Sequence, residues 1–326
     1  MQNDFVHRFL FDEADLIMED EKRSVPMVMD ASKEGWVGIP HGGIGMGAIV
    51  ELANDFAHCT CDNDLKYPVQ CSFRMGGSEV RVGDAVTVEA VPTGSGISGR
   101  VIPEGSETPY ITAEIGCGVE NPEPEDGFRE YIPENFSRLS GRLEHIPYYL
   151  NCFVCGVNRS APGLKRQFHL WESPHGSIAC AFSGFNTEDP ETIHRFSRKG
   201  WLHPITQLAV LDETMGWGGF LAFANGGVSV RLNFTLLRKI GVDEKIVFFG
   251  RGEKVKGKID KRMFFWASGC GAVVRDDGAL EVVTASSGQW YALKSLTDQM
   301  ENELIPKEQT QKIFAIAQTV ASCKNE

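Results

Sequence analysis

The chain has 326 residues, enough for two domains that each bury a core without disulfide or metal staples. Its formal net charge of −12 repels phosphate backbones and anionic lipid, which excludes nucleic acid and membrane surfaces as partners held by long-range charge. No apolar run approaches the roughly 20 residues that span a bilayer, residues 1–24 are too acidic for a signal peptide, and nine cysteines, an odd number, do not suit a secreted disulfide framework, so a cytoplasmic protein with reduced thiols is expected.

In chain order, the first clear element is a histidine-led turn and helix over residues 41–58. Four strands follow, VQCSF, AVTVEAV, ISGRVI and YITAEIGCGV, separated by turn chemistry rich in glycine and acid. Residues 121–147 are polar, proline-bearing and aperiodic, which marks a linker between a first domain, 1–120, and a second, 148–295. The second repeats the pattern with a helix over 204–223 and the strands VSVRLNFTLL, KIVFFGRGEKV, RMFFWASGCGAVV and LEVVTASSGQWYAL. Residues 296–326 have helical spacing at Ile313, Ile316 and Val320 and are predicted to be a docked C-terminal helix. Landmarks of the halves superpose at nearly one offset: 162 for His41 and His203 and for Glu51 and Glu213, 161 for Phe73 and Phe234, and 160 for Asp84 and Glu244. Each half is a two-layer α+β unit, and the chain reads as a tandem duplication.

Three segments carry a family resemblance. Pro40-His41-Gly42-Gly43-Ile44, leading into Ala48-Ile49-Val50-Glu51-Leu52, resembles the His-Gly-Gly turn of hotdog-fold acyl-thioester hydrolases. Asn151-Cys152-Phe153-Val154-Cys155-Gly156 with Gly163-Leu164 is similar to the leading segment of the phenylacetate-type branch of that superfamily, and Leu211-Asp212-Glu213-Thr214-Met215-Gly216-Trp217 resembles its central helix. The resemblance covers most of both copies. It implies two tandem hotdog domains, each an antiparallel sheet wrapped around a central helix, joined as an intramolecular pseudo-dimer. It also implies an acyl-CoA thioesterase, with coenzyme A entering as part of the substrate and no separate cofactor.

Thioester hydrolysis needs donors where charge develops on the carbonyl oxygen and a carboxylate that attacks or activates water. A helix N-terminus supplies outward N–H groups, and Gly42 and Gly43 let a carbonyl approach them. The resemblance places the carboxylate nine residues after the histidine, on the opposing unit's helix. That position is Asp212 in the second copy; in the first it is Val50, with Glu51 one place later. Pro204, which follows His203, has no N–H to donate. One working site is therefore expected, from Gly42, Gly43 and Asp212, with His41 holding the turn; the site around His203 and Glu51 is expected to be degenerate. The asparagine common six residues before the histidine in this branch is replaced by Gly35 and Ser197, and Thr214 and Gln207 are candidates to replace its contact to substrate.

The basic run Arg251, Lys254, Lys256, Lys258, Lys261 and Arg262 offers partners for the phosphates of coenzyme A, with Lys256, Lys258 and Arg262 as candidates; solvation of a strand edge is the competing reading. Cys152-x-x-Cys155 is half a zinc spacing without a second half, and no metal is expected. Gly43-x-Gly45-x-x-Ala48 matches a loose dinucleotide fingerprint, but it follows no buried strand and opens no βαβ series. Two other functions stay open: an enoyl-thioester hydratase or dehydratase using a His and an acid, and a non-catalytic acyl-thioester binder. The acyl group is not specified, and homodimerisation of the two-domain chain through edge strands is left open.

Overall fold

The computed structural model describes residues 5–56, 59–61, 64–94, 96–122, 128, 131–139, 143–173, 176–183, 190–300, 302, 307–308 and 311. One antiparallel sheet of 13 strands runs through both copies. In chain order its strands are β1 (Ile17–Glu19), β2 (Lys22–Val28), β3 (Val69–Met75), β4 (Ala85–Pro92), β5 (Gly96–Pro103), β6 (Ile111–Cys117), β7 (Leu143–His145), β8 (Phe168–Ser173), β9 (Gly176–Ser183), β10 (Gly227–Leu236), β11 (Ile246–Lys258), β12 (Arg262–Val274) and β13 (Leu280–Ala292). Their spatial order is β1-β2-β4-β5-β6-β3-β10-β13-β12-β11-β9-β8-β7. The strands read from the sequence all form, and the pairs β1–β2 and β8–β9, which sequence periodicity did not single out, extend each half in the same way.

The seam between the halves is the pairing of β3 with β10. Around a two-fold axis, the residue on the axis must face its own counterpart. Ser72 pairs with Asn233 in register, 161 positions on, and its Oγ lies 2.8 Å from Asn233 Oδ1. That offset equals the one between Phe73 and Phe234, whose rings meet edge to face at 6.0 Å across the seam. The duplication is thus a structural pseudo-dyad.

Each half wraps its sheet around one helix: α2 (Gly42–Ala53) in the first and α3 (Pro204–Phe223) in the second, after a short α1 (Phe5–Phe11). Nearly every residue of α2 and most of α3 are buried, because sheet covers one side of each helix and the other helix covers part of the rest. The glycine series of α2 makes that approach possible. A Cβ on Gly43 would stand 2.4 Å from Ala209 Cβ, and one on Gly47 would stand 2.4 Å from Ile205. The apparent dinucleotide fingerprint is therefore a helix-packing surface. The first helix ends at Ala53, short of the expected residue 58.

The segment expected to be a linker, 121–147, is partly structural. Phe128, Tyr131 and Leu139 are buried in a second apolar cluster with Trp171, Val247 and Phe249, on the face of the second half's sheet away from its helix. Tyr131 Oη lies 2.8 Å from Ser268 Oγ, and residues 143–145 already form edge strand β7. Sparse aromatic residues in a polar stretch hid this strap from periodicity. At the C-terminus, a short helix α4 (Lys294–Gln299) follows β13; Ile313, Ile316 and Val320 lie outside the described residues. No helix among the described residues is long and apolar enough to cross a membrane.

Candidate active site

The pseudo-dyad creates two equivalent positions, and the residues at each make one of them open and the other closed. Both central helices begin with a histidine N-cap. His41 Nδ1 accepts from Gly43 N–H at 2.9 Å, and His203 Nδ1 accepts from Ile205 N–H at 3.2 Å. Each imidazole then reaches across the domain boundary: His41 Nε2 is 3.2 Å from Glu213 Oε2, and His203 Nε2 is 3.0 Å from Glu51 Oε2. Glu51 does face a site, and Glu213, which the nine-residue spacing passed over, is its counterpart. The acid ten residues after the histidine occupies the same place in each copy.

The capping bonds fix the protonation pattern. A nitrogen that accepts an N–H carries no proton, so Nε2–H of His41 donates to Glu213. Burial opposes a charge on His41, while the Glu213 hydrogen bond and the charges of Cys152, Asp212 and Glu213 favour one. The second proton has no place while Nδ1 caps the helix, so the capped ring is neutral, and the cap is the stronger constraint because breaking it leaves Gly43 N–H buried without an acceptor. Glu213 is oriented in turn by Trp217 Nε1, which donates to its Oε1 at 3.1 Å. Cys152 Sγ, 3.9 Å from Glu213 Oε2, accepts N–H bonds from Val154 and Cys155 at 3.3 Å and closes a tight turn with its neighbour in sequence.

This bonding also corrects the expected donor set. Gly43 N–H is taken by His41, which leaves Gly42 N–H, the first of the helix, with no acceptor among the described residues. Asp212 lies beside it, since a Cβ on Gly42 would be 2.9 Å from Asp212 Oδ2. The same oxygen is 3.9 Å from His41 Nδ1. Burial pushes the Asp212 pKa up to about 6, opposed by His41, reinforced by the charge of Glu213 and again opposed by Ser229.

A cavity of about 710 Å³ opens on this junction, lined by His41, Gly42, Asp212 and Glu213 and walled by Trp217, Phe220 and Trp290 among others. At the equivalent place in the other half the space is about 10 Å³. The reason is residue by residue. Pro204 stands for Gly42 and removes the free N–H; Val50 stands for Asp212 and removes the acid (204 − 42 = 212 − 50 = 162). Arg198 stands for Trp36 and Asn54 for Gly216 at the same offset, and both reach Glu51: Arg198 Nη2 at 2.7 Å and Asn54 Nδ2 at 3.2 Å. With Tyr67 and Lys239 these side chains fill what is open in the first site.

The remaining expectations divide. Position 35 has no room for the asparagine of the family pattern, because a Cβ there would lie 2.6 Å from His41 Cα. Thr214 does not reach the cavity: it is fully buried, and its hydroxyl donates to Val210 O at 2.5 Å. Gln207 is buried against Thr284. Lys256, Lys258 and Arg262 are exposed on the outer half of the long β11–β12 hairpin and line no part of the cavity, with Arg262 resting over the Phe264 ring at 5.0 Å.

No protein-family model and no curated protein matches the chain in sequence. In fold it is similar to a putative thioesterase II from Thermobifida fusca YX, 14% identical, with a TM-score of 0.51 over 86% of this chain and 98% of that one. It is similar also to the dehydratase domain of PpsC from Mycobacterium tuberculosis, solved in complex with C12:1-CoA, 11% identical, with a TM-score of 0.51 over 88% of this chain and 99% of that one. A conserved protein with a hot dog fold from Alicyclobacillus acidocaldarius aligns over 86% of this chain and 97% of its own, at 14% identity and a TM-score of 0.48. The chain has the hotdog fold, carried twice.

Proposed function

We propose that this double hotdog hydrolyses an acyl thioester, with an acyl-CoA as its small-molecule substrate, at the one open site between its halves. The observation that carries the reading is the placement of Asp212, from the second half, against Gly42, the only first helical position of the two with an N–H to give. The carbonyl oxygen would lie at Gly42 N–H, where the positive end of α2 holds the developing negative charge. Asp212 takes a proton from water as the water oxygen bonds to the carbonyl carbon. When the tetrahedral species collapses, the carbon–sulfur bond breaks and the leaving sulfur takes that proton from Asp212, which restores the carboxylate. His41 takes no proton in this scheme: one nitrogen caps α2 and the other donates to Glu213.

The same bonding disfavours a dehydratase, because such chemistry needs an imidazole nitrogen free to move a proton on the acyl chain.

Thiol release from a panel of acyl-CoAs tests the reading. Wild type should turn over at least one member, and Asp212→Ala should lose about 10²–10⁴-fold in rate, the usual worth of a positioned acid or base. Turnover unchanged in Asp212→Ala, or lost equally in Glu51→Gln, sinks it. Hydration of an enoyl-CoA without thiol release would establish the dehydratase instead. A single turnover in ¹⁸O-water tests for direct attack by the carboxylate: label in the Asp212 side chain would establish an acyl-aspartyl anhydride hydrolysed at the aspartyl carbonyl.

A further inference from the structure

The two central helices carry seven glycines: Gly42, Gly43, Gly45 and Gly47 in α2, and Gly216, Gly218 and Gly219 in α3. Glycine in a helix interior is unfavourable relative to alanine, so each calls for a reason. At six of them an added Cβ would meet a neighbour closer than 3.0 Å. A Cβ would come within 2.4 Å of Ala209 at Gly43, 2.5 Å of Ile111 at Gly45, 2.4 Å of Ile205 at Gly47, 2.7 Å of the Gly250 backbone at Gly218, 2.2 Å of the Phe265 ring at Gly219 and 2.9 Å of Asp212 at Gly42. Gly216 differs. Its nearest neighbours would be Trp290 Nε1 at 3.7 Å and Phe220 Cζ at 4.0 Å, which is ordinary contact. Protein packing leaves room for a side chain there, and the chain has none.

Gly216 lies one helical turn after Asp212 and lines the same cavity. Its counterpart across the pseudo-dyad is Asn54 (216 − 54 = 162), whose side chain helps to fill the closed site. We propose that Gly216 is the specificity-determining residue of the open site: the missing side chain keeps a compartment between Trp217, Phe220 and Trp290 for a bulky apolar acyl group. The carbonyl of that group then sits one turn back, at Asp212 and Gly42, while its body lies over the bare backbone of Gly216 against aromatic faces. The substrate class is accordingly a thioester of a medium-length or bulky apolar acid, with acetyl thioesters as poor substrates. This rests on the thioester reading for its choice of ligand, but its test does not need turnover.

The test uses the full chain and two thioethers that cannot be hydrolysed, S-octyl-CoA and S-ethyl-CoA, with binding measured by calorimetry, together with the melting temperatures of Gly216→Ala and Gly216→Val. Wild type should bind S-octyl-CoA at least about tenfold more tightly than S-ethyl-CoA, a modest return on several buried methylenes. Gly216→Val should lose most of that preference while keeping its affinity for S-ethyl-CoA within about twofold. Gly216→Ala should melt higher than wild type, since alanine fits the helix, and should bind S-octyl-CoA more weakly. A glycine kept for packing alone would give the reverse: a lower melting temperature and unchanged discrimination. Wild type without preference, without binding of either thioether, or with a preference that survives Gly216→Val overturns the inference. Tight, size-dependent binding in a protein that releases no thiol would leave it standing and remove the hydrolase reading.

Discussion

Gly42 and Pro204 occupy the same first position of their two central helices, 162 residues apart, and differ in the one group that matters there: Gly42 has an N–H that no protein acceptor takes among the described residues, and Pro204 has none to offer. Proline suits this position structurally, because its ring holds a helical φ and its missing N–H would otherwise be an orphan. Gly42→Pro should therefore reduce thiol release by about 10²–10³-fold, the usual worth of an oxyanion donor. Circular dichroism should show the fold retained. Gly42→Ala keeps the N–H but presses its methyl on Asp212 Oδ2, so a smaller loss in the rate is expected.

Asp212 must be ionised to accept a proton from water. Burial raises its pKa to about 6 even against a charge on His41, and further beside the neutral ring, so kcat/KM should rise as pH increases through about 6 or above and level off beyond it. Asp212→Glu, if active, should move that inflection; a profile whose rising limb is the same in both enzymes would assign the titration to another group.

The closed site stabilises the fold through Glu51. Burial alone would raise its pKa, but hydrogen bonds from His203 and His7 and the charge of Arg198 reverse this and hold it well below the ordinary 4.5. A carboxyl depressed in the folded state contributes stability above its unfolded pKa and loses it as pH falls below that value. Acid unfolding should thus steepen below about pH 4.5 in wild type. In Glu51→Gln the melting temperature should be lower at neutral pH and should fall less steeply in acid.

The close approach of the two central helices makes Gly43 sensitive to a single methyl. Gly43→Ala places its Cβ 2.4 Å from Ala209 Cβ, and overpacking of this kind costs about 1–3 kcal/mol. The intrinsic preference of helices for alanine acts in the opposite direction and is smaller. Chemical denaturation should show a net loss, and the double variant with Ala209→Gly should recover part of it.

The strap over the second half's sheet should matter to stability although it lies far from the cavity. Tyr131→Phe removes the hydroxyl that meets Ser268 Oγ at 2.8 Å, with an expected loss of about 1 kcal/mol. Tyr131→Ala also empties the apolar cluster and should cost about 3 kcal/mol or more. Equal stability of all three proteins would return residues 121–147 to the status of a passive linker.

Much of this protein was determined by local sequence alone. Alternation and turn residues set the eight strands of the two halves, the histidine caps and apolar runs set the two central helices, and the 160–162 offsets set the duplication, because strands and helices record their burial as periodicity and a duplicated fold keeps its spacing. The asymmetry of Gly42 with Pro204 and of Asp212 with Val50 was equally legible, since it needs only residue identity at matched positions. Tertiary structure decided the rest. Which N–H is free depends on where His41 Nδ1 turns; whether Glu51 and Glu213 face a site depends on helix rotation about an axis that no local pattern marks. Thr214 and the hairpin lysines do not line the cavity, because side-chain direction and place along the hairpin, not proximity in sequence, determine what reaches it. Gly216 is the sharpest case. In sequence it is one more glycine in a helix rich in them, and only the room for a Cβ separates it from the six at which one would meet a neighbour closer than 3.0 Å.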